Sequence, residues 1–182
     1  MADRLVLVPD LDVAPEDIMA ALDDLGARKQ SSPAEGDLVT WTLDGATVHL
    51  FEDAGLHIEL FLVDGDGAPA AAQRLRDRLA IYTPEDMPEL FASMHDPNSQ
   101  TAFNLRLAIL AAVAPPQADP ALVELFRRGF EHPDYLVRRR AALYASVPKW
   151  PELRPMVERL ANDDDEPKVR ETAAASLRDF DA

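Results

Sequence analysis

Asp165-Glu166-Pro167-Lys168-Val169-Arg170-Glu171-Thr172-Ala173-Ala174-Ala175-Ser176-Leu177 decides the architecture, because the chain writes this run more than once. Val137-Arg138 opens a similar run through Ala145, and Leu105-Arg106 a looser one through Val113, the three set 32 residues apart. Ahead of each run stands a segment with apolar residues at helical spacing: Leu90, Phe91 and Met94; Leu122, Leu125, Phe126 and Phe130; Leu153, Met156, Val157 and Leu160. The connections are turn sequences: His95-Asp96-Pro97, Glu131-His132-Pro133-Asp134, and Asp163-Asp164-Asp165-Glu166-Pro167. A period of this length marks stacked helix pairs, none of which buries its apolar face alone.

An acidic turn, then Val-Arg, two residues, Ala-Ala, one residue and Ala-Leu is the pattern of the short bacterial HEAT-like repeats of the PBS-lyase type, and residues 84–180 resemble them. The third repeat follows the pattern nearly letter for letter. The second ends in Ala145 where Leu is usual, and the first lacks the Pro-x-Val-Arg approach. The resemblance implies an α-α superhelix of about three repeats over residues 83–182, with the second helix of each pair lining a concave side. It also implies a hydrogen-bonded ladder of acids and arginines between repeats, here Asp134, Arg138, Asp165 and Arg170, which makes Arg106, Arg138 and Arg170 structural. Residues left facing outward are then Leu107 and Ala108 in the first repeat, Arg139, Arg140 and Leu143 in the second, and Glu171, Thr172 and Ala175 in the third. Arg139, Arg140 and Leu143 are the candidate protein-contact residues on this side.

Residues 1–82 have a different grammar and are expected to form a small α+β domain, strand-helix-three strands-helix. Arg4-Leu-Val-Leu-Val8 is a short buried strand ended by Pro9. Pro15 opens a helix that presents Ile18, Ala21, Leu22 and Leu25 on one side, with Gly26 just past its end. Residues 28–36 are polar and are expected as a loop. Asp44-Gly45 between two alternating runs predicts a tight hairpin pairing Leu43 with Ala46, Trp41 with Val48 and Val39 with Leu50. A second turn at Asp53-Ala54-Gly55 would pair Leu50 with Ile58 and Val48 with Leu60. Strand side chains alternate, so one face would carry Val39, Trp41, Leu43, Val48, Leu50, Ile58, Leu60 and Leu62, covered by the helix at 15–26 and another at 69–80. The opposite face would carry Leu38, Thr40, Thr42, Thr47, His49, Phe51, His57, Glu59, Phe61 and Val63. That face is half apolar, so either the repeats or a partner must cover it. His49, His57, Phe51 and Phe61 are therefore candidate binding residues too.

Charge separates the two parts. Residues 1–100 hold 6 Lys and Arg against 20 Asp and Glu, and residues 101–182 hold 12 against 13, so nearly all of the net charge of −15 lies in front. Such a field speeds encounter with a basic protein partner and repels a phosphate backbone, so nucleic acid is not expected. No apolar run is long enough to span a bilayer, no export signal opens the chain, and there are 0 cysteines to pair, which together predict a cytoplasmic protein. Fifteen of the 18 basic residues are arginine, which with the Ala and Pro content suggests a high-GC bacterial source.

Chemistry is hard to find. His49 opposite Glu59 is expected as a cross-strand pair and not as a zinc site, because no fourth ligand stands nearby. Gly65-Asp66-Gly67 lacks the third glycine and lysine of a phosphate loop, and Asp163 to Glu166 lacks the spacing of a calcium loop. No serine carries a nucleophile motif. Neither a cofactor nor catalysis is expected. The function that follows is a binding module, an adaptor or regulatory scaffold for a protein. Immunity proteins that neutralise bacterial toxins are one alternative of that composition, and lyase-like or cofactor-handling repeat proteins are another. Oligomeric state is not fixed by the sequence.

Overall fold

The computed structural model describes residues 4–30, 39–53 and 58–181, with the backbone alone at 52 and 53. By their internal contacts the residues fall into two compact units, Met1–Tyr82 and Thr83–Ala182.

The first unit runs β1 (Arg4–Leu7), α1 (Pro15–Asp24), β2 (Arg28–Lys29), β3 (Val39–Leu43), β4 (Ala46–Asp53), β5 (Ile58–Asp64) and α2 (Ala68–Arg76). The strands form one antiparallel sheet in the order β1-β5-β4-β3-β2. Pro15 sits in the first turn of α1, and Gly26 at φ 71° ends it, with the Ala27 amide donating to Leu22 O at 2.9 Å. The β3–β4 turn has Asp44 and Gly45 at φ 52° and 81°, the positive pair that a two-residue hairpin demands. Its register is the expected one, Val39 opposite Leu50, Trp41 opposite Val48 and Leu43 opposite Ala46. Arg74 of α2 ties this turn down, donating at 2.8 Å to both carboxylate oxygens of Asp44 and at 2.9 Å to Leu25 O.

Two expectations fail here. Among the described residues five strands stand where four were expected: Arg28 and Lys29 pair with Thr42 and Trp41, and the Gln30 amide donates to Thr40 O at 2.9 Å. An exposed two-residue edge strand has no apolar alternation to reveal it. The β4–β5 register is also different. Asp53 lies opposite Ile58 and Leu50 opposite Phe61, so the connection spans residues 54–57 and the turn expected at 53–55 falls largely outside the described residues. The pairing shifts by an odd number of residues, which inverts every side chain of β5. Phe61 and Val63 are fully buried against Trp41, Val48, Ile18, Leu22, Ala72 and Leu75, while Leu60 and Leu62 lie on the other face.

In the second unit a 3-10 turn, Pro84–Asp86, leads into α3 (Met87–Ala92), followed by α4 (Gln100–Val113), α5 (Pro120–Phe130), α6 (Tyr135–Ala145), α7 (Arg154–Asp163) and α8 (Pro167–Phe180). Asp119, Asp134 and Glu166 cap α5, α6 and α8, each side chain accepting from a backbone amide of the first turn. Alanine makes the pairs stack closely. A methyl group built on Gly129 of α5 would lie 2.9 Å from the Ala141 Cβ of α6 and 3.2 Å from Leu107 Cδ1 of α4. Trp150, fully buried, packs edge-on against Phe126 at 6.0 Å and donates its indole N–H to Pro115 O at 2.9 Å.

Candidate functional site

The arginines that follow the acidic turns are structural anchors. Arg138 of α6 donates to both oxygens of Asp164, Nε to Oδ2 at 2.7 Å and Nη2 to Oδ1 at 3.0 Å, and its Nη2 also reaches Asp165 Oδ1 at 2.8 Å. Only 3% of the Asp164 side chain is exposed. The hydrogen bond to Arg138 holds the Asp164 carboxyl below the ordinary aspartate range, and that carboxylate in turn raises Arg138. The expected ladder named Asp134 and Asp165 as its acids. Asp134 instead caps α6, and the buried partner is Asp164. Arg170 repeats the other half of the motif, with Nη1 donating to Asp164 O at 2.5 Å and Asp165 O at 3.2 Å, as Arg138 Nη1 does to His132 O at 3.1 Å and Pro133 O at 3.0 Å. Arg106 donates Nε to Leu90 O at 2.7 Å.

Asp164 and His132 occupy the same place in consecutive repeats. Asp164 Oδ1 accepts from the Glu166 amide at 3.0 Å, and His132 Nδ1 accepts from the Asp134 amide at 3.1 Å. Accepting there puts the neutral ring's proton on Nε2, which is buried without a hydrogen-bond partner. The ring lies 5.0 Å from that of Phe103. Superposing the repeats on their Val-Arg pairs places position 164 on position 132, a signal that was available in the 32-residue period.

Between α6 and α8 lies an open cleft of about 400 Å³ lined by Arg139, Arg140, Leu143, Glu171, Thr172, Ala175, Ser176 and Asp179. The three candidates from the second repeat therefore share one concavity. Leu143 is 41% exposed in it. Arg139 Nε donates to Thr172 Oγ1 at 3.0 Å. Ser176 and Asp179 join the lining unforeseen. The buried Ser176 hydroxyl has no hydrogen-bond partner. The first repeat does not continue the outward row: Leu107 and Ala108, expected outside, are buried, and Leu107 packs at the Gly129 contact. Alanine-rich spacing alone does not reveal this, because α4 is apolar on most of its circumference.

The sheet candidates separate. Phe61 is in the core and leaves the candidate surface. His49 and Phe51 remain on the face away from the helices, where His49 Nδ1 lies 3.1 Å from Thr40 Oγ1 and Nε2 lies 3.7 Å from Asp64 Oδ2. Glu59 stands opposite Glu52 and not opposite His49, and the inverted strand puts it on the other side of the sheet. His57 lies outside the described residues.

Helix pairs repeating every 32 residues, with a guanidinium–carboxylate tie between two of them, define an α-helical repeat protein. The model for HEAT repeats matches residues 87–178, and the chain belongs to that family. HEAT repeats are in general scaffolds for protein interaction. Neither the curated proteins nor the solved structures contain a match to this chain. Among the described residues no helix is long and apolar enough to cross a membrane.

Proposed function

We propose that this is a non-catalytic protein-binding module, an adaptor or regulatory scaffold, and that the α6/α8 cleft receives a segment of its partner. One observation carries this: Leu143 is 41% exposed in a cleft that it lines together with Arg139 and Arg140 of α6 and Glu171 and Asp179 of α8. An apolar centre ringed by charges is how docking sites combine affinity with register.

A photo-crosslinking amino acid placed at Leu143, with Asn162 on the exposed side of α7 as control, identifies the protein that occupies the cleft. The purified partner should then bind R139E/R140E at least tenfold more weakly than the parent, with the melting temperature unchanged. Equal affinity for both proteins overturns the proposal.

The charge distribution favours a second reading. With −10 of the net charge in residues 1–82, the first unit would steer a basic partner, as an immunity protein would steer a basic toxin. That role predicts an association rate that falls steeply with salt and neutralisation of the bound enzyme. A captured partner that is acidic or fully active in the complex would rule it out.

A further inference from the structure

The chemistry of the segment can be read from Arg140. Among the described residues it is the one arginine of the second unit whose guanidinium has no hydrogen bond, ion pair or ring contact. Arg138 and Arg170 are tied to the turns, Arg139 to Thr172, Arg127 to Glu124, Arg154 to Glu158, Arg159 to Glu131 and Arg178 to Ala174 O, and Arg128 lies over the Phe91 and Phe103 rings. Arg140 is nevertheless half-buried in the cleft, so it has given up part of its hydration without a hydrogen bond or ion pair in return. A group in that condition is stabilised most by an anion delivered by a ligand that also closes the cleft.

The anion is a carboxylate of a protein segment and not a phosphate chain. Glu171 and Asp179 line the same cleft and the chain carries a net −15, so a polyanion is repelled where a single carboxylate beside a compensating base is not. The levels along the cleft set the spacing. Arg140 and Leu143 are three residues apart on α6, and the 32-residue repeat puts Asp179 of α8 level with residue 147, seven residues beyond Arg140. At the helical rise these levels lie at about 0, 4.5 and 10.5 Å. A helix carrying an acid at i, an apolar residue at i+3 and a base at i+7 reproduces them on one face. A strand's same-face residues, at about 0, 6.6 and 13.2 Å, overshoot. Resting on the cleft as the docking site, we infer that it takes an amphipathic helix of the pattern Glu-x-x-Leu-x-x-x-Arg, with the glutamate on Arg140, the leucine on Leu143 and the arginine on Asp179.

The probe is a synthetic peptide of about sixteen residues with this pattern in an alanine and glutamine background, long enough to hold helix in water. It is titrated into the full chain with amide NMR shifts as the readout. Saturable shifts confined to α6 and α8 are expected, with affinity falling about tenfold in Arg140→Glu and recovering when the peptide glutamate becomes lysine. Arg140→Gln, milder for folding, should give an intermediate loss. Binding that is lost in Leu143→Asp but indifferent to both Arg140 variants keeps the cleft as the docking site and overturns the carboxylate assignment. Shifts elsewhere, or no binding at millimolar peptide, overturn the helix pattern, while the crosslink at Leu143 judges the cleft separately.

Discussion

Arg138 and Asp164 are joined by two near-parallel hydrogen bonds, 2.7 and 3.0 Å long, that bind the second helix of one repeat to the turn of the next. The arginine is 14% exposed and the aspartate 3%, so water competes weakly for either.

Removing one partner should therefore be expensive. Asp164→Ala leaves Arg138 with the His132 and Pro133 carbonyls and, as its one remaining carboxylate, the exposed Asp165, and it leaves the Glu166 amide without its acceptor. A loss of about 3 kcal/mol is expected in urea unfolding. Asp165→Ala, at a side chain 91% exposed, should cost less than about 0.5 kcal/mol.

The same pair gives a pH signature. The folded-state pKa of Asp164 is depressed, so its contribution is complete above the unfolded aspartate value of about 3.9 and is lost as pH falls through the folded value. The stability gap between the parent and Asp164→Asn should be constant from neutral pH to about 5 and narrow below about 4. Denaturant midpoints across that range measure it.

His132 makes a spectroscopic prediction. Its Nδ1 accepts from the Asp134 amide, so long-range nitrogen–proton correlations should show a bare Nδ1 and a protonated Nε2 in the neutral ring. His132→Ala removes the cap acceptor and the Phe103 contact and should cost about 2 kcal/mol.

The sheet register has its own test. Phe61→Ala empties a fully buried site and should cost about 3–5 kcal/mol, whereas Leu60→Ala, on the opposite face and half-buried, should cost about 1 kcal/mol. Comparable losses at both positions would contradict the pairing of Leu50 with Phe61.

Ser176 should gain from losing its hydroxyl. The atom is buried beside Ala175 without a partner, so Ser176→Ala is expected to leave stability unchanged or raise it by up to about 1 kcal/mol. Thermal melts of the two proteins decide it.

What the sequence disclosed follows from how many independent signals each element carried. The Val-Arg pairs, capping acids and alanine runs all pointed to the repeats, and Asp44-Gly45 fixed the first hairpin because a two-residue turn leaves no freedom of register. The next connection had no such constraint. Both parities of β5 present apolar residues, Leu60 and Leu62 or Phe61 and Val63, so a wrong turn length went uncorrected and sent Phe61 to the wrong face. The Arg139, Arg140 and Leu143 row could be placed because α6 is polar on one side. The corresponding side of α4 is apolar, and Leu107 and Ala108 could not be told from core. Asp164 was hidden among four consecutive acids, where composition identifies the turn but not the member that turns inward.

Gly129 carries a consequence for how this array can evolve. Three helices converge on its single hydrogen, so the gauge of the stack at that point is fixed by the smallest residue available and has no tolerance in the direction of growth. Here a lone methyl would press on the Ala141 methyl, which is fixed directly to the α6 backbone, so lineages of this chain can change what their surfaces hold more readily than the distance at which α5 and α6 run.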